Sequence, residues 1–208
     1  MAQWSGREVC SAGLLASSLS RLCLSNDVRL YRWPVARFSI INIVSGGQTG
    51  ADRGGLDAAI ELGIPHSGWC PRGRRAEDGT IPPIYKLRET ESRRYSARTE
   101  RNVIDSDGTL IVSRGPLTGG SALTERLARQ HQKPALHIAL GSMQCAGSMQ
   151  SAGSMQSAGN AADETAVSQI RTWLAIHDIH RLNVAGPRES HCPGIGRAVR
   201  ALLVAAIG

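Results

Sequence analysis

The 208-residue chain is 41% hydrophobic, enough for one packed domain with additional material. No apolar run nears the roughly 18 residues that span a bilayer, so a membrane role is not expected. The formal charge of +7 is spread along the chain, aromatics make up only 4%, and no basic stripe stands out, which argues against nucleic acid as a partner.

Residues 1–38 carry five arginines against Glu8 and Asp27, without helical or strand periodicity. They read as a poorly structured N-terminal extension: either an addition from an upstream start or a segment with faint transit-peptide character. From residue 39 onward the pattern alternates strand and helix. Strands are expected at about 39–45, 64–69, 108–113, 134–139 and 181–185, and helices at about 51–62, 94–105, 120–131, 163–177 and 194–206. The near-continuous apolar strand Ile40-Ile41-Asn42-Ile43-Val44 suits a sheet buried on both faces. The expected fold is α/β, a Rossmann-like three-layer sandwich with a mainly parallel sheet over residues 39–208.

Three turns stand directly after strands and before helices. The first is Ser45-Gly46-Gly47-Gln48-Thr49-Gly50, which has neither the GK[ST] ending of a triphosphate loop nor GxGxxG spacing. Its amides, with Gln48 and Thr49, are candidate anion donors. Asp52 opens the next helix, where a carboxylate suits the positive helix end, and Arg53 can reach an anion or a neighbouring carboxylate. After the second strand comes Gly68-Trp69-Cys70-Pro71-Arg72-Gly73-Arg74-Arg75. There Arg74 and Arg75 are candidates to close over a negative ligand and Trp69 to stack on a heterocycle, unless Glu77 and Asp78 absorb the charge.

The second turn, Gly115-Pro116-Leu117-Thr118-Gly119-Gly120-Ser121, puts Thr118, Gly119, Gly120 and Ser121 at the start of a helix that also holds Glu125. Glu125 fits either an acid–base or hydroxyl-binding role or an arginine pair. Gly141 to Asn160 contains a tandem hexapeptide, Gly-Ser-Met-Gln-(Cys/Ser)-Ala, and reads as a flexible surface loop over 141–160. The third turn, Ala185-Gly186-Pro187-Arg188-Glu189-Ser190, adds Gly186, Arg188 and Ser190 to the candidate set. In a parallel sheet all three turns lie at the carboxyl edge of the strands, where glycine amides and helix N-termini favour a phosphate. The five cysteines form no CxxC pair, so neither a disulfide framework nor a metal site is expected, and a reducing cytoplasm is the default.

The phrases Ile43 to Gly54, Gly68 to Gly79, Arg98 to Val103, Asp105 to Val112, Gly115 to Ser121 and Asn183 to Ser190 resemble the molybdenum cofactor carrier family. That family shares a Rossmann-like superfamily with the lysine-decarboxylase-like phosphoribohydrolases. The resemblance covers about residues 40–140 and 162–206. It implies a cytoplasmic homo-oligomer, dimer or tetramer, that binds, stores or carries molybdenum cofactor (molybdopterin), a phosphorylated pterin, with molybdoenzymes as acceptors. The alternative it implies is sensing of a nucleotide-derived ligand or hydrolysis of its N-glycosidic bond. In those relatives an arginine and a glutamate act on the ribosyl bond; Arg98 and Glu125 stand nearest to those places. Thr118 replaces the relatives' proline, and the glycine-to-glutamate spacing is one residue short.

Overall fold

The structure, a computed structural model, describes residues 39–141 and 156–208. The extension over 1–38 and most of the repeat segment lie outside the described residues. In chain order the elements are β1 (Asn42–Val44), α1 (Ala51–Glu61), β2 (His66–Ser67), β3 (Trp69–Cys70), β4 (Arg75–Ala76), β5 (Gly79–Thr80), β6 (Arg88–Glu89), α2 (Tyr95–Ile104), β7 (Gly108–Ser113), α3 (Gly119–Gln130), β8 (Ala135–Ala139), α4 (Gln156–Ile176), β9 (Arg181–Ala185) and α5 (Ile195–Ile207). The five expected strand–helix units are all present. Two readings need correction. The strand expected over 64–69 breaks at Gly68, which has φ +143° and sits so close to the Ser45 backbone that a Cβ would fall 1.9 Å from its carbonyl oxygen. Trp69–Cys70 therefore leaves the main sheet and pairs with β6. The stretch Gln156–Asn160, expected to be loop, is the first part of α4. Gln156, Ala158, Ala161 and Ala162 are good helix formers, so the helix extends back into the last repeat.

The central sheet has the order β2-β1-β9-β7-β8, and each neighbouring pair is parallel. Counted from β9, this is the doubly wound order 3-2-1-4-5: the strand that opens such a sheet is here supplied last. Buried side chains hold β9 in register. Asn183 Nδ2 donates to Thr109 Oγ1 at 3.2 Å, and Ser45 Oγ donates to the Val184 carbonyl at 2.9 Å. The main core lies on one face, where Ala58 and Ala59 of α1, Ile170 and Leu174 of α4, and Val199 and Leu203 of α5 pack on Ile43, Leu110, Leu182 and Val184. A smaller cluster joins Val103 of α2 to Leu127 and Ala128 of α3, completing three layers. Among the described residues no helix is long and apolar enough to cross a membrane.

Helices α1 and α5 approach very closely at two glycines. A Cβ on Gly54 would fall 2.3 Å from the Gly196 carbonyl oxygen, a backbone atom that cannot swing aside. Gly54→Ala is therefore expected to cost about 2 kcal/mol through overpacking, lowering Tm by roughly 4–8 °C for a chain of this size. Differential scanning calorimetry checks this; an unchanged Tm would contradict the close crossing.

Candidate functional site

A cleft of about 630 Å³ opens at the carboxyl end of the sheet. It lies where β9 and β7 part company, the point at which the two halves of a doubly wound sheet run in opposite directions and ligands usually bind. Its walls are the β7–α3 loop, Ser113 to Ser121, and the start of the β9–α5 loop, Ala185 to Arg188, with His191 and Cys192 further along. Gln48 and Asp52 close it from the α1 side, and Tyr95, Arg98 and Thr99 from α2. The second and third turns thus converge as expected.

The three helix N-termini at this edge are not equivalent. At α1, the Ala51 N–H already donates to the Pro187 carbonyl at 3.2 Å, and the Gln48 N–H to Asp52 Oδ2 at 3.3 Å. At α5, the Glu189 carboxylate accepts the N–H of Gly194 and that of Gly196, the latter at 3.2 Å. Glu189 occupies the place an external anion would take. Helix α3 differs: among the described residues no protein group accepts from the N–H of Gly119 or Gly120.

The glycines separate the turns in the same way. A Cβ on Gly46 would meet the Arg98 guanidinium at 1.6 Å, and one on Gly50 the backbone of Pro187 to Glu189 at 2.6 Å. Gly47 lies against Leu87 and Ile81, and Gly186 against the Val112 carbonyl and Ala51. These glycines permit close packing, and their open faces are already filled by protein. At Gly115, Gly119 and Gly120 a Cβ would meet nothing within 4 Å. The cradle read as Gly46–Gly50 plus Gly119–Ser121 therefore contracts to its second half. Thr118, Gly119 and Gly120 are exposed at the cleft, and the buried Ser121 gives its N–H to the Thr118 carbonyl at 3.1 Å.

Nitrogen donors crowd the same space. Arg98 Nη1 pairs with Asp52 Oδ2 at 2.8 Å, at the inner end of the cleft. Burial pushes the Asp52 carboxyl up, against the opposing pull of Arg98 and the Gln48 N–H. Among the described residues the buried side-chain nitrogens without a partner are Gln48 Nε2, Arg98 Nε and Arg114 Nε, and all three residues line this cleft. Leaving a buried donor unmet costs about 1–3 kcal/mol, and all three of these donors belong to residues of this one cleft. Arg188 also lines it, with its guanidinium 5.1 Å from the centre of the Tyr95 ring.

Other candidates are committed elsewhere. Arg74 donates to the carbonyls of Ile81, Leu87, Pro82 and Tyr85 at 2.9–3.1 Å, stitching the 71–88 loop together. Arg75 is exposed in the β4–β5 hairpin. Arg53 forks onto Asp78 at 2.5 and 2.8 Å; that pairing, its largest influence, holds the Asp78 carboxyl below the usual range. Trp69 donates from Nε1 to Asp105 at 2.7 Å and lies between Arg88 and Arg101, outside the cleft lining. Thr49 and Ser190 both donate to Glu77, the Ser190 hydroxyl at 2.6 Å. Glu125 pairs with Arg129 at 2.8 Å and does not line the cleft, whereas Arg98 does. The carboxylate beside Arg98 is Asp52.

Sequence reading missed Tyr95, Arg114 and His191 and treated Asp52 as a helix-start residue. Arg114 carried a usable signal, because it directly follows an apolar strand. Tyr95 and Arg98 stand at i, i+3 on α2 and so share a face. No group of three or more His, Cys, Asp or Glu side chains among the described residues could hold a metal ion.

The chain belongs to the circularly permutated YpsA SLOG family, whose model matches residues 43–207. A solved structure from Syntrophus aciditrophicus SB, described as a "Putative molybdenum carrier protein", is similar at 46% identity with a TM-score of 0.71, covering 82% of this chain and 96% of its own. No curated protein matches the chain significantly.

Two outcomes follow from these contacts. Arg74→Ala removes four hydrogen bonds, leaving the Ile81 and Leu87 carbonyls without a donor, and is expected to cost roughly 3 kcal/mol, seen as a lower urea midpoint, while phosphate affinity stays within threefold. A tenfold loss of affinity at unchanged stability would return Arg74 to the ligand. Burial pushes the Glu77 carboxyl up, but hydrogen bonds from Ser190 and Thr49 and the nearby Arg188 outweigh it and hold it below its ordinary range. Its tether to Ser190 is therefore intact at neutral pH and is lost as pH falls through that depressed value. Hydrogen exchange at the Ser190 amide should accelerate in acid relative to intrinsic rates, and Glu77→Gln should weaken this dependence.

Proposed function

We propose that the cleft binds a phosphorylated heterocyclic molecule, and that the protein acts as a molybdenum-related carrier with the phosphorylated pterin of molybdenum cofactor as its cargo. The observation that carries the reading is the uncapped N-terminus of α3, flanked by open glycines, in the same cleft as three unpartnered nitrogens. Helix dipole, free amides and guanidinium groups all favour an anion. A volume of about 630 Å³ falls in the range of roughly 300–1,000 Å³ typical of small-molecule sites. It leaves room for a ring as well as a phosphate. The name of the Syntrophus relative supports molybdenum as part of the cargo. In this reading the phosphate sits on the amides of Gly119 and Gly120, with Arg114 and Arg188 neutralising charge, and cargo passes to molybdoenzymes from a homo-oligomer in the cytoplasm.

Titration of the full chain with molybdenum cofactor, AMP and inorganic phosphate tests this. The carrier reading expects the cofactor to bind at least tenfold more tightly than AMP, and Gly120→Val to weaken both at least tenfold by filling the cradle. Tighter binding of AMP would overturn the molybdenum assignment and favour a nucleotide ligand.

A further inference from the structure

The inner end of the cleft is built differently from its mouth. Around α3 the charged groups, Arg114 and Arg188, are cationic, whereas the inner end holds a carboxylate. Asp52 is only 4% exposed and lines the cleft. Its Oδ2 is taken, receiving Arg98 Nη1 at 2.8 Å and the Gln48 N–H at 3.3 Å, and among the described residues no hydrogen bond reaches its Oδ1. Beside it, the Gln48 side chain, also 4% exposed, is fixed by two backbone N–H groups. Thr49 and Glu77 donate to Oε1 at 3.1 and 2.9 Å. That fixes the amide the right way round and leaves Nε2 a donor with nothing to bond. Arg98 Nε is in the same position.

A buried acceptor and buried donors therefore stand together at one end of a cationic cleft. A tetrahedral oxyanion is repelled by Asp52 and, beyond the single O–H of hydrogen phosphate, has no hydrogen to give it. A sugar phosphate can meet these groups only through hydroxyls, each of which rotates between donor and acceptor. A nitrogen heterocycle carries an N–H beside a carbonyl or ring nitrogen, and that edge meets both needs at once. We infer that Asp52, Gln48 and Arg98 form a recognition site for the donor–acceptor edge of a nitrogen heterocycle, pterin or purine, whose phosphate lies at the α3 N-terminus. The inference rests on the anion-binding reading of the cleft and names what the ligand carries at its other end. Asp52 and Gln48 are then what distinguish a ring-bearing ligand from free phosphate or molybdate.

Calorimetric titration of the full chain with inorganic phosphate, ribose 5-phosphate, AMP and GMP tests the inference. Wild-type protein should bind at least one nucleotide tenfold or more tightly than ribose 5-phosphate. A preference for GMP assigns a lactam edge like that of pterin; a preference for AMP assigns an amidine edge. Asp52→Asn should lower nucleotide affinity at least tenfold more than it lowers phosphate affinity. Ribose 5-phosphate binding as tightly as both nucleotides overturns the inference, as does an Asp52→Asn loss equal for every probe; either result leaves the anion site standing. Failure of all four probes, inorganic phosphate included, overturns the anion site and the inference with it. The wild-type ranking decides the matter even if the variant does not fold.

Discussion

The arrangement depends on the insertion of β9 between β1 and β7. This strand arrives last in the chain yet occupies the centre of the sheet, paired in parallel on both sides. Only that placement brings the loop beginning at Gly186 alongside the loop beginning at Arg114. It also lets α1 and α5 cross at Gly54 and Gly196. The buried Asn183–Thr109 and Ser45–Val184 hydrogen bonds act against a register slip, since a shift of one residue would turn every β9 side chain to the opposite face. The cleft exists because the sheet closes around a strand contributed from the far end of the chain.

Within that frame, the glycine-rich turns divide the work. The first turn looks most like a phosphate loop, yet its glycines are packed against protein. Its glycines admit the Arg98 guanidinium, the Leu87 and Ile81 side chains and the 187–189 backbone. The third turn brings its own anion, Glu189, to the helix it precedes. Only the second leaves a helix N-terminus to be satisfied from outside. A helix end with free amides, guanidinium groups from three segments and a carboxylate at the inner end form a cleft with two chemically distinct ends.

Much of this was legible in the sequence. Continuous apolar strands, periodic helices and turns at fixed places gave the α/β sandwich and the edge on which the site lies. The order of strands was not legible, because periodicity says nothing about which strand is central; the order appears only in the pairing. Nor does the sequence distinguish a glycine needed for packing from one that faces a ligand: Gly46 and Gly120 look alike until their neighbours are known. The arginines misled for a similar reason. Arg74 and Arg75 stand in a dense basic run, but the 71–88 loop folds back on itself and Arg74 is consumed by its carbonyls. Arg114 stands alone in sequence, yet it follows β7, a strand whose end borders the cleft.

The central claim is that a single helix N-terminus, that of α3, receives the anion. Backbone amide chemical shifts of isotopically labelled protein, followed during addition of inorganic phosphate, test it most directly. The account predicts large shifts at Gly119 and Gly120 and only small ones at Gly46, Gly47, Gly50 and Gly196. Large shifts in the first turn with none at Gly119 and Gly120 would contradict it.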